Sequence, residues 1–210
     1  MNMTPLFLAS TGFKFIDWQK LWAILLKYWD KFLIEGVKYT LLISAITVFF
    51  GAILAAALAL MKMSKILPLR WLSAIYVEVI RGTPMLLQLY FFYFGLPMLI
   101  PALNKQKLLC ICIALICNSA AYVSEVIRSG IQAVDPGQTE AALSLGFNKK
   151  QTMWYIVLPQ AVKNILPALG NEFIMIVKDT SLASTFFVGE LMTQYLLVKG
   201  TTMLPIEPLV

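Results

Sequence analysis

"EAALSLGFNKKQTMWYIVLP", residues Glu140–Pro159, decides how this chain is read. It is polar at its start, and most of what surrounds it is apolar. Just upstream, Asp135 precedes Pro136, and Gln138 follows. Asp is a good helix N-cap, Pro is favoured at the first helical position, and Gln is placed to close a capping box. Glu140–Leu145 continues that helix, with an acid near its positive end. Gly146 suits the left-handed position that ends a helix. Asn148 with Gln151 repeats the start signal, and a second helix runs on until Pro159, where it is expected to stop. Residues 135–159 therefore read as a compact module: short helix, glycine turn, second helix.

The remainder of the chain reads as membrane. Of 210 residues, 60% are hydrophobic and 13% charged, with a mean hydropathy of +0.78. A soluble domain carries about 25% charged residues. The net charge of +6 does not point to nucleic acid, because the basic residues are scattered at the ends of apolar runs and form no stripe. Cys110, Cys112 and Cys117 all fall within one apolar run, and the chain has no histidine, so packing is the reading and no metal site is expected. Met1–Ser10 holds no Lys or Arg, so the charged opening of a secretory signal is not expected there.

Residues 1–38 form a mixed segment in which Trp18, Trp22 and Trp29 alternate with Lys20, Lys27 and Lys31, the composition of a helix lying in the headgroup region. The first apolar run, Tyr39–Met61, is uncharged between Lys38 and Lys62 and long enough to span. Its small-residue stretch Ala52–Leu60 suits close helix packing. A second run lies between Arg81 and Lys105 and opens with Pro84. A third, Leu108–Ser124, ends at Glu125 and has room to extend toward Arg128. The fourth, Asn164–Val188, contains Glu172, Lys178 and Asp179. Lys62, Lys65, Arg70 and Arg81 in one link, and Arg128, Lys149, Lys150 and Lys163 in another, place both links in the cytoplasm and the N-terminus outside. The five Lys of the N-terminal segment argue the other way, accompanied by Asp17, Asp30 and Glu35. No internal repeat with paired broken helices is evident, as an inverted-repeat carrier would show.

Glu140-Ala141-Ala142, then Gly146, then Ile156 and Leu158-Pro159, at this spacing, resembles the EAA signature of permease subunits of ABC importers. "VIRGTPMLLQLYFFYFGLP" (Val79–Pro97), "AAYVSEVIRSGIQAVDPGQTEAA" (Ala120–Ala142) and "LGNEFIMIVKDTSLAS" (Leu169–Ser184) are similar to the polar amino acid permeases of that superfamily, which handle histidine, arginine, glutamine, glutamate, cystine and opines. The likeness covers roughly residues 35–200. It implies an all-α integral membrane protein, a MetI-like permease bundle, with 39–210 as the transmembrane domain. It also implies multi-pass insertion in the bacterial cytoplasmic membrane. Four of the family's five core spans are legible, and the sequence stops at "MLPIEPLV", where the last would begin. The EAA module would be the coupling helix that docks on a separate ATP-binding subunit, with Glu140 as a contact and Gly146 as the turn. No GxxxxGK phosphate loop occurs, so ATP and Mg2+ are expected on that partner and not here. The implied partners are two ATP-binding subunits, an extracellular or periplasmic solute-binding protein, a second permease copy or homologue, and a polar amino acid.

Charges inside spans usually face a cavity or a partner. Glu172 and Asp179 are seven residues apart and share a helix face, with Thr180 and Ser181 following. That face suits an ammonium group, and by resemblance it lines the translocation path. The alternative is that Glu172 pairs with Lys178 or Arg81 and holds the bundle together. Glu78 and Arg81 read as a structural boundary pair with a possible gating part. Two other functions compete with the importer: an ion-coupled secondary amino acid transporter, which explains the intramembrane acids but leaves the polar module idle, and a non-transporting membrane scaffold.

Overall fold

The computed structural model describes residues 17–209. The reading of Met1–Ser10 and the first part of the 1–38 segment fall outside the described residues. Every regular element among the described residues is helical. The helices are α1 (Trp18–Trp29), α2 (Val37–Met63), α3 (Leu67–Arg81), α4 (Met85–Tyr90), α5 (Leu96–Leu99), α6 (Lys107–Gln132), α7 (Pro136–Ser144), α8 (Lys149–Gln151), α9 (Leu158–Asp179) and α10 (Leu191–Thr202). The described residues divide into two compact units, one of residues 41–183 and one of residues 17–40 with 184–209.

In the larger unit, α6 is the central helix. Its buried face includes Ile111, Ala114, Leu115, Ala120, Ala121 and Val123. Small residues let its neighbours approach closely. A Cβ on Gly130 would lie 2.3 Å from Ile165 Cγ1, so α6 and α9 touch almost backbone to side chain. A Cβ on Gly51 would lie 3.0 Å from Ser119 Oγ, which sets the approach of α2. Ala55, Leu58, Ala120 and Val123 form one core cluster, and Val134, Val157, Ala161 and Ile165 form another beneath the polar module. Phe49, Phe50 and Ile53 on α2 and Trp71, Leu72 and Ile75 on α3 stay exposed, an outer surface suited to lipid.

Three boundaries differ from the sequence reading. The basic link after Lys62 is mostly helix. α3 packs on α6, with Tyr76 Oη donating to the Cys117 carbonyl at 2.8 Å, and Ser73 Oγ donates to the Leu58 carbonyl at 2.8 Å. The second apolar run is helical over Met85–Leu99, passing without a break from α4 through a wide π-helical stretch, Phe91–Gly95, into α5. The helix of the fourth apolar run, α9, begins at Leu158, and Pro159 does not stop the chain: a π-helical stretch, Thr152–Val157, leads straight into α9. Proline cannot donate to the carbonyl four residues back and its ring crowds that carbonyl. The wider turn just ahead of Pro159 relieves both demands. As the sequence allowed, α6 runs past Glu125, to Gln132.

In the smaller unit, Asp17 caps α1 by accepting from Gln19 N and Lys20 N. Helical turns continue without a break through Lys38 as far as Met63. Glu190, 1% exposed, caps α10 by accepting from Met192 N and Thr193 N at 2.6 and 2.9 Å. Gly36 is needed where α10 comes close, since a Cβ there would lie 3.0 Å from Leu191 Cα. Leu191 N also donates to Thr40 Oγ1 at 3.1 Å.

Candidate coupling module and polar path

Asp135 Oδ1 accepts from Gly137 N at 2.8 Å and starts α7. The expected capping box does not close there. Gln138 instead takes a long 3.4 Å contact from Gln160 Nε2, tying the first helix to the return helix. At the other end of α7, Gly146 N bonds the Leu143 carbonyl and Phe147 N bonds the Ala142 carbonyl, at 3.0 and 3.1 Å. That pair of bonds is the Schellman stop, and it requires the left-handed Gly146, φ +90°. Asn148 and Gln151 then form a reciprocal capping box, at 2.9 and 3.0 Å. The two starts and the glycine turn satisfy backbone groups locally, which makes this a defined object and not a slack loop.

Within it, Ala142 is 4% exposed and faces inward, whereas Glu140 and Ala141 face out. Leu145, at the turn, is 80% exposed. Ile156 and Leu158 are half-buried and Pro159 is exposed on the return helix. Between the two helices lies a groove of about 520 Å³ lined by Gln132, Thr139, Glu140, Leu143, Lys149 and Met153, among others. The arrangement presents a carboxylate, an apolar knob and a shallow groove on one small, internally stapled element.

Glu172 lies within α9 and Asp179 is its last residue. Seven residues apart on one helix, they share a face. Neither forms an ion pair within 4 Å among the described residues, so Glu172 does not pair with Lys178 or Arg81. Asp179 ends α9, and a 3-10 stretch, Thr180–Phe186, follows directly, its first N–H bonding the Ile176 and Lys178 carbonyls. Thr180 is buried, and its hydroxyl donates to the Val177 carbonyl at 2.7 Å, while Ser181 is exposed. The Glu78–Arg81 pair does not form either. Arg81 lies over the Tyr122 ring, 5.2 Å from its centroid, and Glu78 is exposed. Aromatic stacking across α3 and α6 replaces the expected ion pair.

Two polar constellations were not anticipated. Asn118 Nδ2 donates to Gln88 Oε1 at 3.0 Å, and Gln88 Nε2 reaches the Ile80 carbonyl at 2.7 Å and the Thr83 hydroxyl at 2.8 Å. Both amides are buried. The second is Lys62–Glu125–Arg128. Only the local half of it, Glu125 with Arg128 three residues on, was visible as a spacing.

Residues 48–205 match the family described as the binding-protein-dependent transport system inner membrane component. The chain belongs to that family. This permease is 41% identical over 179 residues to the arginine transport system permease protein ArtQ of Bacillus subtilis (strain 168), covering 85% of this chain and 81% of that one. It is 41% identical over 169 residues to the probable glutamine ABC transporter permease protein GlnM of the same organism, covering 80% and 77%. Among solved structures it resembles an amino acid ABC transporter crystallised with histidines, with TM-score 0.82, 43% identity, and 92% and 87% of the two chains covered. The methionine ABC transporter MetNI, at 18% identity and TM-score 0.63, shares the fold. The permease is thus an all-α, MetI-like bundle. Membership of a binding-protein-dependent transport family sets aside both the ion-coupled carrier and the inert scaffold.

Proposed function

We propose that this chain is the membrane-spanning permease subunit of an ATP-driven importer of polar amino acids in the bacterial cytoplasmic membrane. The observation that carries the proposal is the stapled module at 135–159, which holds Glu140 and Leu145 outward at the end of the central helix α6. Glu140, Ala141, Ala142, Gly146, Ile156, Leu158 and Pro159 are assigned to coupling. Two separate ATP-binding subunits hold ATP and Mg2+, since nothing in this sequence has the form of a phosphate loop. A solute-binding protein delivers substrate from outside, and a second permease copy or homologue completes the path. Glu172, Asp179, Thr180 and Ser181 are assigned to that path, with the carboxylates facing the substrate ammonium. The relatives named for arginine and glutamine transport support a polar amino acid as cargo.

In mechanism, the docked ATPases close on ATP and displace the module. The module moves α6 and α9, between which it is inserted in the chain. ATP biases the two access states only through contacts that differ between them, and the module is where this chain offers such contacts. The test is a tagged pull-down from native membranes in mild detergent. Wild type should retain an ATP-binding subunit and the Glu140→Lys, Gly146→Asp variant should lose it. Well-folded wild type that retains none would overturn the reading.

A further inference from the structure

Lys62, in the last turn of α2, places Nζ 2.5 Å from Glu125 Oε1 on α6. The other oxygen of Glu125 accepts from Arg128 Nε and Nη2 at 3.0 and 2.7 Å. Arg128 Nη1 in turn donates to Gln132 Oε1 at 2.5 Å. Gln132 lines the module groove. An unbroken run of polar contacts therefore leads from the end of α2 to the groove. The Lys62 and Glu125 side chains keep only 20% and 17% of their exposure, so this is a partly desolvated pair and not a loose surface contact.

Charge balance does not explain Lys62. Arg128, one turn away on the same helix, already neutralises Glu125 with two hydrogen bonds. The second cation comes from a different helix, 63 residues earlier in the chain. What it adds is a mechanical tie between α2 and α6. The seam between those helices is otherwise apolar and closely fitted. It is built on Gly51, Ala55, Leu58, Ala120 and Val123, and the buried hydroxyls of Thr47 on α2 and Ser119 on α6 have no hydrogen-bond partner among the described residues. Apolar contacts of this kind are non-directional, and Lys62–Glu125 adds a directional link between the two helices.

We propose that Lys62 is a positioning residue that makes α2 follow α6 when the module is driven. The proposal rests on the coupling role assigned above. Without the tie, α6 and α9 still respond to ATP, but α2 lags and hydrolysis is spent without completing the change of access.

The test compares wild type, Lys62→Gln and Lys62→Arg in reconstituted vesicles with their ATPases and binding protein, given radiolabelled arginine, glutamine and cystine in turn. Retention of the ATPases, ATP hydrolysis and uptake are all measured. Lys62→Gln should keep the ATPases and keep hydrolysing, while uptake per ATP falls about threefold or more. Lys62→Arg should restore the ratio. An unchanged ratio in Lys62→Gln, or no restoration by Arg, overturns the proposal. Loss of the ATPases from Lys62→Gln alone also overturns it, since the residue would then hold the module and not transmit from it. A wild type that retains no ATPase removes the coupling reading first, and this inference with it.

Discussion

Gly146→Ala isolates the contribution of a single backbone angle. Gly146 has φ +90°, and a Cβ built there meets nothing within 4 Å. Sterics with neighbours therefore contribute nothing, and the whole cost is the left-handed conformation, about 1–2 kcal/mol for an L-residue. That cost falls on the Schellman turn formed by Gly146 N and Phe147 N. If docking needs the turn in place, the competent population shrinks by the same free energy. Apparent affinity for the ATP-binding subunit should then weaken by about 5- to 30-fold. Gly146→Asn should lose less, since Asn tolerates this region. The assay is titration of purified ATPase against detergent-solubilised permease, with helicity followed in parallel. Equal affinity for Ala and Gly would refute the reasoning. So would an Asn variant as poor as Ala, since the loss would then track side-chain size and not the angle.

Two further outcomes follow from the packing and the path. Gly130→Ala should destabilise the purified complex by about 1–3 kcal/mol, because its Cβ would overlap Ile165 Cγ1, and adding Ile165→Ala should recover part of the loss in thermal unfolding. A single substitution with no effect on the melting temperature would show that α6 and α9 are less closely fitted than described. Asp179→Asn should lower uptake in reconstituted vesicles while the ATPases stay bound, because the variant removes a carboxylate that no cation within the described residues neutralises. Unchanged uptake kinetics would remove Asp179 from the path.

What the sequence reveals about this protein is what is local. Asp135, Gly146 and the Asn148–Gln151 box act within four or five residues, so their spacing is their structure. The length and apolarity of α6 are similarly legible, since one helix supplies both. The misread points all involve a second element. Gln138 leaves its box unclosed because Gln160, 22 residues on, lies beside it. Pro159 continues a helix because a π-helical stretch precedes it, and no single-residue preference announces such a stretch. The stretch after Lys62 looks like a link because Lys65, Arg70 and Arg81 dilute its apolar residues, yet Ser73 and Val77 bury one face of a regular helix. The Asn118–Gln88 pair joins residues 30 apart, and Lys62 meets Glu125 across 63. Polar partners at such distances carry no periodic signal.

That division bears on how coupling is built. On the coupling role proposed above, a module recognised by a separate protein has to keep its shape without help from that protein, and local caps achieve this at its two helix starts and its turn. Passing its movement onward requires stiffness between elements. The Gly130–Ile165 contact provides it where α6 and α9 enter the module, because a backbone packed directly against a side chain leaves no gap to take up displacement. Val134 and Val157, at the two ends of the module, belong to the same cluster as Ile165 and Ala161. The module and the adjoining turns of both helices therefore share one core, and a push on Leu145 or Glu140 reaches α6 and α9 together. The α2 seam meets that core through Ile127 and Leu169, which pack against both clusters, and the proposed charged tie at Lys62 adds a directional polar link there to contacts that are otherwise apolar.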